Sequence, residues 1–172
     1  HEPLAALYGH FRALDTLENE LRRYDRQLML VFDWGGGTLD LTLCRLVDGV
    51  FVQLENYGTD DVGGDHFDQS VRHEVERRVR ESRGLGSEVE RLPGADVRLL
   101  HECEEAKIAL SDPAVSSWTI YVEHFFSGVD DAALDLRLTR DDLEAIVGSL
   151  VKKGVARITE LLEKYEVSPA AI

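Results

Sequence analysis

Two aspartates flank three consecutive glycines in the segment Asp33-Trp34-Gly35-Gly36-Gly37-Thr38-Leu39-Asp40. These residue types point to phosphate and metal chemistry. Glycines let a loop approach a ligand closely and aim several N–H groups at it, which suits a phosphate. Carboxylates suit Mg²⁺ and its waters, or a base that orients an attacking water. With a four-residue loop over 34–37, Asp33 lies opposite Thr38 and Val31 opposite Asp40. Asp33, Thr38 and Asp40 then share one face, and the carboxylates are diagonal neighbours roughly 7–8 Å apart. The competing reading is a tight hairpin with solvated aspartates. Against it, Asp33 ends the apolar run Leu28-Met29-Leu30-Val31-Phe32, where an unpartnered buried charge is expensive.

Two further groups carry polar chemistry. Gly63-Gly64 meets the start of a helix with the stripe Phe67, Val71, Val75 and Val79, for which Asp65 is the expected N-cap. A helix N-terminus attracts anions through its unpaired N–H groups, although a plain loop-to-helix corner looks the same in sequence. Glu104, Lys107 and Ser111 fall at i, i+3 and i+7, hence on one helical face. Their donors and acceptors could hold a sugar and a base; an exposed Glu–Lys pair is the plainer alternative.

The elements that must position these groups follow from periodicity. Residues 3–24 read as helical, with Gly9 as a candidate break. The apolar run at 28–32, the alternation Thr38/Asp40/Thr42 against Leu39/Leu41/Leu43, and residues 51–57 beyond an Asp48-Gly49 turn form a three-stranded antiparallel meander. After the Gly63-Gly64 helix come a loop over 82–94 and a helix from Asp96 to Leu110 with Leu100, Cys103 and Leu110 inward. Two strands follow at 117–126 and 133–139. Thr139-Arg140-Asp141-Asp142 resembles a capping box, opening a long helical stripe that Gly154 is expected to split. The fold class is mixed α/β without a regular βαβ series.

Composition narrows the function classes. The chain has 172 residues, 44% apolar and 30% charged, with a formal net charge of −14. That balance argues against a nucleic-acid surface, which would be basic. Cys44 and Cys103 form no CxxC pair, which argues against a disulfide scaffold or a zinc site. No apolar run approaches the ~20 residues of a membrane span, so no membrane partner is expected. His10, His66, His73, His101 and His124 show no ligand spacing. The chain starts without an initiator Met and reads as a piece of a longer protein in a reducing, cytoplasmic setting.

The combination resembles one known family. Phe32-Asp33-Trp34-Gly35-Gly36-Gly37-Thr38-Leu39-Asp40-Leu41 resembles the second phosphate-binding segment of the 70-kilodalton heat-shock proteins, Asp-Leu-Gly-Gly-Gly-Thr-Phe-Asp. Val62-Gly63-Gly64-Asp65-His66-Phe67-Asp68 is similar to its Leu-Gly-Gly-Glu-Asp-Phe-Asp, and Glu104-Glu105-Ala106-Lys107-Ile108-Ala109-Leu110-Ser111 to its adenosine-holding helix. Glu2-Pro3, Ala5-Ala6 and Tyr8-Gly9 resemble its Asn-Glu-Pro-Thr-Ala-Ala-Ala segment.

The resemblance implies an actin-like ATPase (ribonuclease H-like) fold, of which this chain is a partial second lobe: the meander plus a helical and β upper subdomain. Residues 1–64 would belong to the lobe base with a helical insert near 12–24, residues 65–139 to the upper subdomain, and 140–172 to a helix returning to the base. Asp33 would act on the Mg²⁺ hydration shell or the attacking water, with Thr38 and Glu2 as further catalytic groups. Asp33 and Asp40 would serve the metal, directly or through water. Gly35, Gly36, Gly37, Thr38, Gly63 and Gly64 would meet the phosphates, and Glu104, Lys107 and Ser111 the adenosine. The implied cofactors are Mg²⁺ and ATP/ADP, and the implied partners nucleotide and a co-chaperone or exchange factor at the upper subdomain of a stress-response chaperone. The complete parent is expected to hydrolyse ATP and this piece alone to be inactive, since a first-lobe phosphate loop, its lysine and a later Gly-Gly-x-x-Arg-x-Pro segment lie outside it. A non-hydrolysing nucleotide switch or protein-interaction module on the same fold is the alternative, and an actin-like filament or sugar-kinase relative fits the Glu104–Ser111 helix less well. Three departures stand out: His1 replaces the family's Asn, Trp34 replaces Leu, and the stretch from Gly9 to Asp33 is longer than the family norm.

Overall fold

The computed structural model describes residues 2–13 and 17–172; for Glu2, Leu17 and Glu18 it describes the backbone alone. The chain order is α1 (Glu2–Arg12), α2 (Leu17–Arg23), β1 (Leu28–Trp34), β2 (Leu39–Val47), β3 (Val50–Thr59), α3 (Gly64–Arg83), α4 (Ala95–Ser111), β4 (Ser117–Val122), β5 (Leu134–Thr139) and α5 (Arg140–Lys164), closed by a 3-10 turn at Pro169–Ala171. Two compact units result, His1–Gly64 with Lys152–Ile172, and Asp65–Val151.

The first unit is built on the expected antiparallel meander, ordered β1-β2-β3. β2 is central, and its alternating Leu39, Leu41 and Leu43 are fully buried. Asp48 and Gly49 both take positive φ, 50° and 79°, as a two-residue hairpin turn requires. Leu43 pairs with Glu55 and Cys44 with Gln53, so Leu54 is the extra residue of a β-bulge. Phe11, Leu46 and Phe51 form a small core, with Tyr8 edge-on to Phe51 at 4.8 Å. The expected break at Gly9 does not occur: α1 runs through it, because one exposed glycine costs only about 1 kcal/mol of helix propensity.

The second unit packs α3, α4 and the N-terminal half of α5 with the β4-β5 hairpin. Val71, Val75 and Val79 of α3 are buried as the stripe predicted. α3 begins at Gly64, so Asp65 lies in its first turn rather than at the N-cap. The inward residues of α4 are Leu99, Cys103, Ala106 and Leu110; Leu100 is only half-buried, one position off the stripe. β4 stops at Val122, short of the expected 126. His124 turns the chain with φ 52°, and Phe125 and Phe126 are apolar because they plug the core, not because they continue the strand. The capping box is present: Thr139 N–H and Oγ1 donate to Asp142 Oδ2 at 3.0 and 2.6 Å, and Asp142 N–H donates to Thr139 Oγ1 at 3.2 Å. α5 is unbroken across Gly154, contrary to the expected split.

Candidate functional site

The hairpin register differs from the sequence expectation. Trp34 pairs with Leu39, so the loop is Gly35–Thr38 and Asp33 stands directly opposite Asp40. The ladder has moved by one residue on each strand. An even shift preserves the faces, so the two carboxylates still share one, now as direct rather than diagonal partners. Thr38 Oγ1 donates to Asp40 Oδ2 at 2.9 Å, which brings the hydroxyl to the same place from within the loop. Gly35 N–H closes the loop on Thr38 O at 2.8 Å. Asp33, Gly36, Gly37 and Thr38 are exposed, and β1 is only half-buried, so Asp33 is not the buried charge that the apolar run before it suggests. Among the described residues, the amides of Gly36 and Gly37 meet no protein acceptor, so they are open to one from a ligand.

The second glycine pair is folded onto the first. Gly64 N–H donates to Gly35 O at 3.0 Å. A Cβ at Gly63 would stand 2.7 Å from the Gly37 carbonyl carbon and closer still to the Gly36 oxygen. Only glycine permits this backbone contact. Periodicity offered no sign that the two glycine segments meet.

Gly58 belongs to the same cluster and escaped the sequence reading. It pairs with Asp40 from β3, where a Cβ would lie 2.7 Å from Asp40 Oδ1. The missing side chain leaves room for that carboxylate. A glycine inside the strand pattern Leu54–Thr59 was the available signal, since such a residue marks a close approach.

The C-terminal half of α5 braces this region. Gly154 is buried against the Trp34 ring. Lys153 and Arg157 pair with Asp61 at 3.2 and 3.5 Å, next to the Gly63 corner. Lys164 and Tyr165 both donate to Glu55, at 2.5 and 2.7 Å, and these bonds hold its carboxyl down at about 2.

In the second unit, Glu104 and Ser111 are exposed on α4 and Lys107 is half-buried beside them. Lys107 reaches across to α3. Its ammonium donates to Asp68 Oδ2 at 2.8 Å and lies 2.7 Å from Oδ1 as an ion pair. Asp68 is 6% exposed, and burial pushes its carboxyl up against the opposing pull of Lys107. Ser111 Oγ donates back to Lys107 O at 2.8 Å. Nothing in sequence spacing links Asp68 to Lys107, because the pair joins two helices.

The side chain of Glu2 lies outside the described residues. Cys44 and Cys103 are buried free thiols, and burial raises Cys103 to about 12, which leaves it unreactive. Among the described residues no group of three or more His, Cys, Asp and Glu side chains is placed to hold a metal, and no helix is long and apolar enough to cross a membrane. The Asp33/Asp40 pair nevertheless fits Mg²⁺. That ion keeps several waters and takes one or two carboxylates with substrate phosphate oxygens, rather than an all-protein cage.

The sequence profile of a family described as Hsp70 protein matches residues 14–172. The chain is 32% identical over 173 residues to the chaperone protein DnaK of Cenarchaeum symbiosum, covering 100% of this chain and 24% of that protein. It is 30% identical over 159 residues to chaperone protein dnaK3 of Synechococcus elongatus, covering 91% of this chain and 21% of that one. It is 36% identical over 145 residues to a chaperone protein HscA homolog of Chromobacterium violaceum, covering 83% and 21%. The chain thus spans between a fifth and a quarter of the length of these curated relatives.

Proposed function

This chain belongs to the Hsp70 protein family, and from that premise we propose that it is part of the nucleotide-binding domain of an ATP-driven chaperone. The observation that carries the reading is the closure of one glycine segment on the other beside paired carboxylates: Gly64 on Gly35, with Asp33 facing Asp40. A phosphate needs close backbone approach and free amides, and Mg²⁺ needs carboxylate oxygens nearby.

In this reading Gly36, Gly37 and the Gly63-Gly64 corner take the phosphates of ATP or ADP. Asp33 and Asp40 hold the waters of Mg²⁺, and the ion supplies charge neutralisation of the phosphates when bound. Asp33 orients the attacking water in the complete protein, and Thr38 fixes the Asp40 carboxylate through its hydroxyl. Chemistry of this kind is largely positioning and electrostatics, which suits a rigid hairpin. Glu104, Lys107 and Ser111 take the nucleoside, with Lys107 steadied by Asp68. Residues 1–64 and the end of α5 would belong to the base of an actin-like lobe, and the unit from Asp65 would be its upper subdomain, where an exchange factor or co-chaperone docks. A cytoplasmic setting goes with the reading and agrees with two free, buried thiols.

The test is a residue-resolved NMR titration of the chain with Mg-ADP. Shifts at Gly35–Thr38, Gly63-Gly64 and Glu104–Ser111 are expected. A dispersed spectrum that does not move at millimolar Mg-ADP counts against nucleotide binding by this piece. Asp33→Asn in the complete parent tests hydrolysis, and turnover near wild type removes Asp33 from the chemistry.

A further inference from the structure

We propose that Gly154 of α5 is a positioning residue for the glycine hairpin, acting through the indole of Trp34; for its consequence on nucleotide the proposal rests on the reading above. A glycine inside a long helix costs about 1 kcal/mol relative to alanine, yet α5 runs unbroken through this one and buries it. Space is the reason. A Cβ at Gly154 would stand 2.7 Å from Trp34 Cζ2, closer still to Cη2, and 3.0 Å from Cζ3. Those atoms belong to one rigid ring, which cannot bend out of the way as a flexible side chain would. Gly148 on the same helix has nothing within 4 Å of its would-be Cβ, so the helix has no general need for glycine.

The ring is tied to the site by short links. Trp34 lies between Asp33 and Gly35 in sequence and pairs with the fully buried Leu39. Phe32 stands edge-on to the indole at 5.6 Å. Gly35 bonds Thr38 through its N–H and receives Gly64 N–H on its carbonyl. A displaced indole therefore moves the backbone that carries Asp33 and joins the two glycine segments. Leucine occupies the matching position in the motif this hairpin resembles, so Trp34 and Gly154 read as a complementary pair: a large ring set over an absent side chain.

The test is a mutant cycle in the 172-residue chain: Gly154→Ala, Trp34→Leu, both together, and Gly148→Ala as a helix-propensity control. Two readouts are taken, the amide resonances of Gly35, Gly36, Gly37, Gly63 and Gly64, and Mg-ADP affinity. Gly154→Ala is expected to displace those resonances and weaken Mg-ADP about tenfold, since small misplacements of binding groups are costly. The double variant is expected to match Trp34→Leu in both readouts, and Gly148→Ala to leave the resonances in place. Unmoved resonances in Gly154→Ala overturn the proposal. So does a double variant no better than Gly154→Ala, or a Gly148→Ala that disturbs the hairpin equally. If Gly154→Ala does not fold, the double variant decides: coincidence with Trp34→Leu upholds the pair, and failure to fold refutes it. Should the resonance cycle behave as expected while the wild type takes no Mg-ADP, Gly154 still positions the hairpin and the nucleotide reading alone fails.

Discussion

Asp33 and Asp40 are direct partners across the β1–β2 ladder, and Gly58 faces Asp40 from the other side. Like charges directly opposite on one face oppose folding, by roughly 0.2–1 kcal/mol. A cation between them reverses that sign. Asp33→Asn is therefore expected to raise the stability of the free chain by about that amount. It should also remove the Mg²⁺-dependent part of ADP binding. Urea melts with and without Mg²⁺, paired with calorimetric titration, check both. A variant identical to wild type in both conditions would mean that the two carboxylates are merely solvated.

Gly63 and Gly58 make a matched comparison. An added methyl at Gly63 meets the backbone of Gly36 and Gly37, which cannot give way. Gly63→Ala is expected to cost about 1–3 kcal/mol, in the range of overpacking, and to lose nucleotide affinity. At Gly58 the methyl meets a carboxylate oxygen, which can rotate. Gly58→Ala also gains roughly 0.5–1 kcal/mol of strand preference. Its stability should stay close to wild type while Mg-ADP affinity falls, because the displaced carboxylate is Asp40. Thermal melts and titrations of the two variants separate these outcomes.

Asp68 and Lys107 form an ion pair in which the carboxylate is buried and the lysine side chain is 21% exposed. Breaking a fully buried pair costs roughly 3–5 kcal/mol, so a part-exposed one should cost less, about 1–2 kcal/mol for Asp68→Ala. Asp68→Leu combined with Lys107→Met should recover much of that loss, since no unpaired charge remains. Denaturant unfolding of the wild type and the two variants reads this directly. Equal loss in the single and double variants would show that packing, not charge, holds the contact.

Asp142 gives a pH signature. Bonds from Thr139 and the Arg78 guanidinium hold its carboxyl at about 2, below the ordinary 3.8. The folded-state value is depressed, so its stabilising contribution is complete above the ordinary value and is lost as pH falls toward about 2. Asp142→Ala removes the capping box and should cost about 1 kcal/mol at neutral pH. The gap between variant and wild type should narrow steadily below pH ~4. A gap that does not depend on pH would assign the loss to packing alone.

Local chemistry carried much of this protein. The alternation in β2, the Asp48-Gly49 turn, the valine stripe of α3 and the Thr139–Asp142 box are all properties of neighbouring residues, and each appears where its periodicity or turn chemistry placed it. The Asp33–Asp40 hairpin was legible for the same reason, down to the shared face of its carboxylates. Its register was not, because a four-residue loop can start at Trp34 or at Gly35, and the pairing of Trp34 with the buried Leu39 settles which. What only the tertiary structure decided are contacts between segments far apart in the chain: Gly63 on Gly36, Asp68 on Lys107, and Gly154 under Trp34. In a one-dimensional reading Gly154 is a helix breaker and Lys107 a partner for Glu104. In three dimensions packing outweighs the ~1 kcal/mol helix penalty of a glycine, and Lys107 meets a buried carboxylate on another helix, whose need for a counter-charge is made stronger by burial.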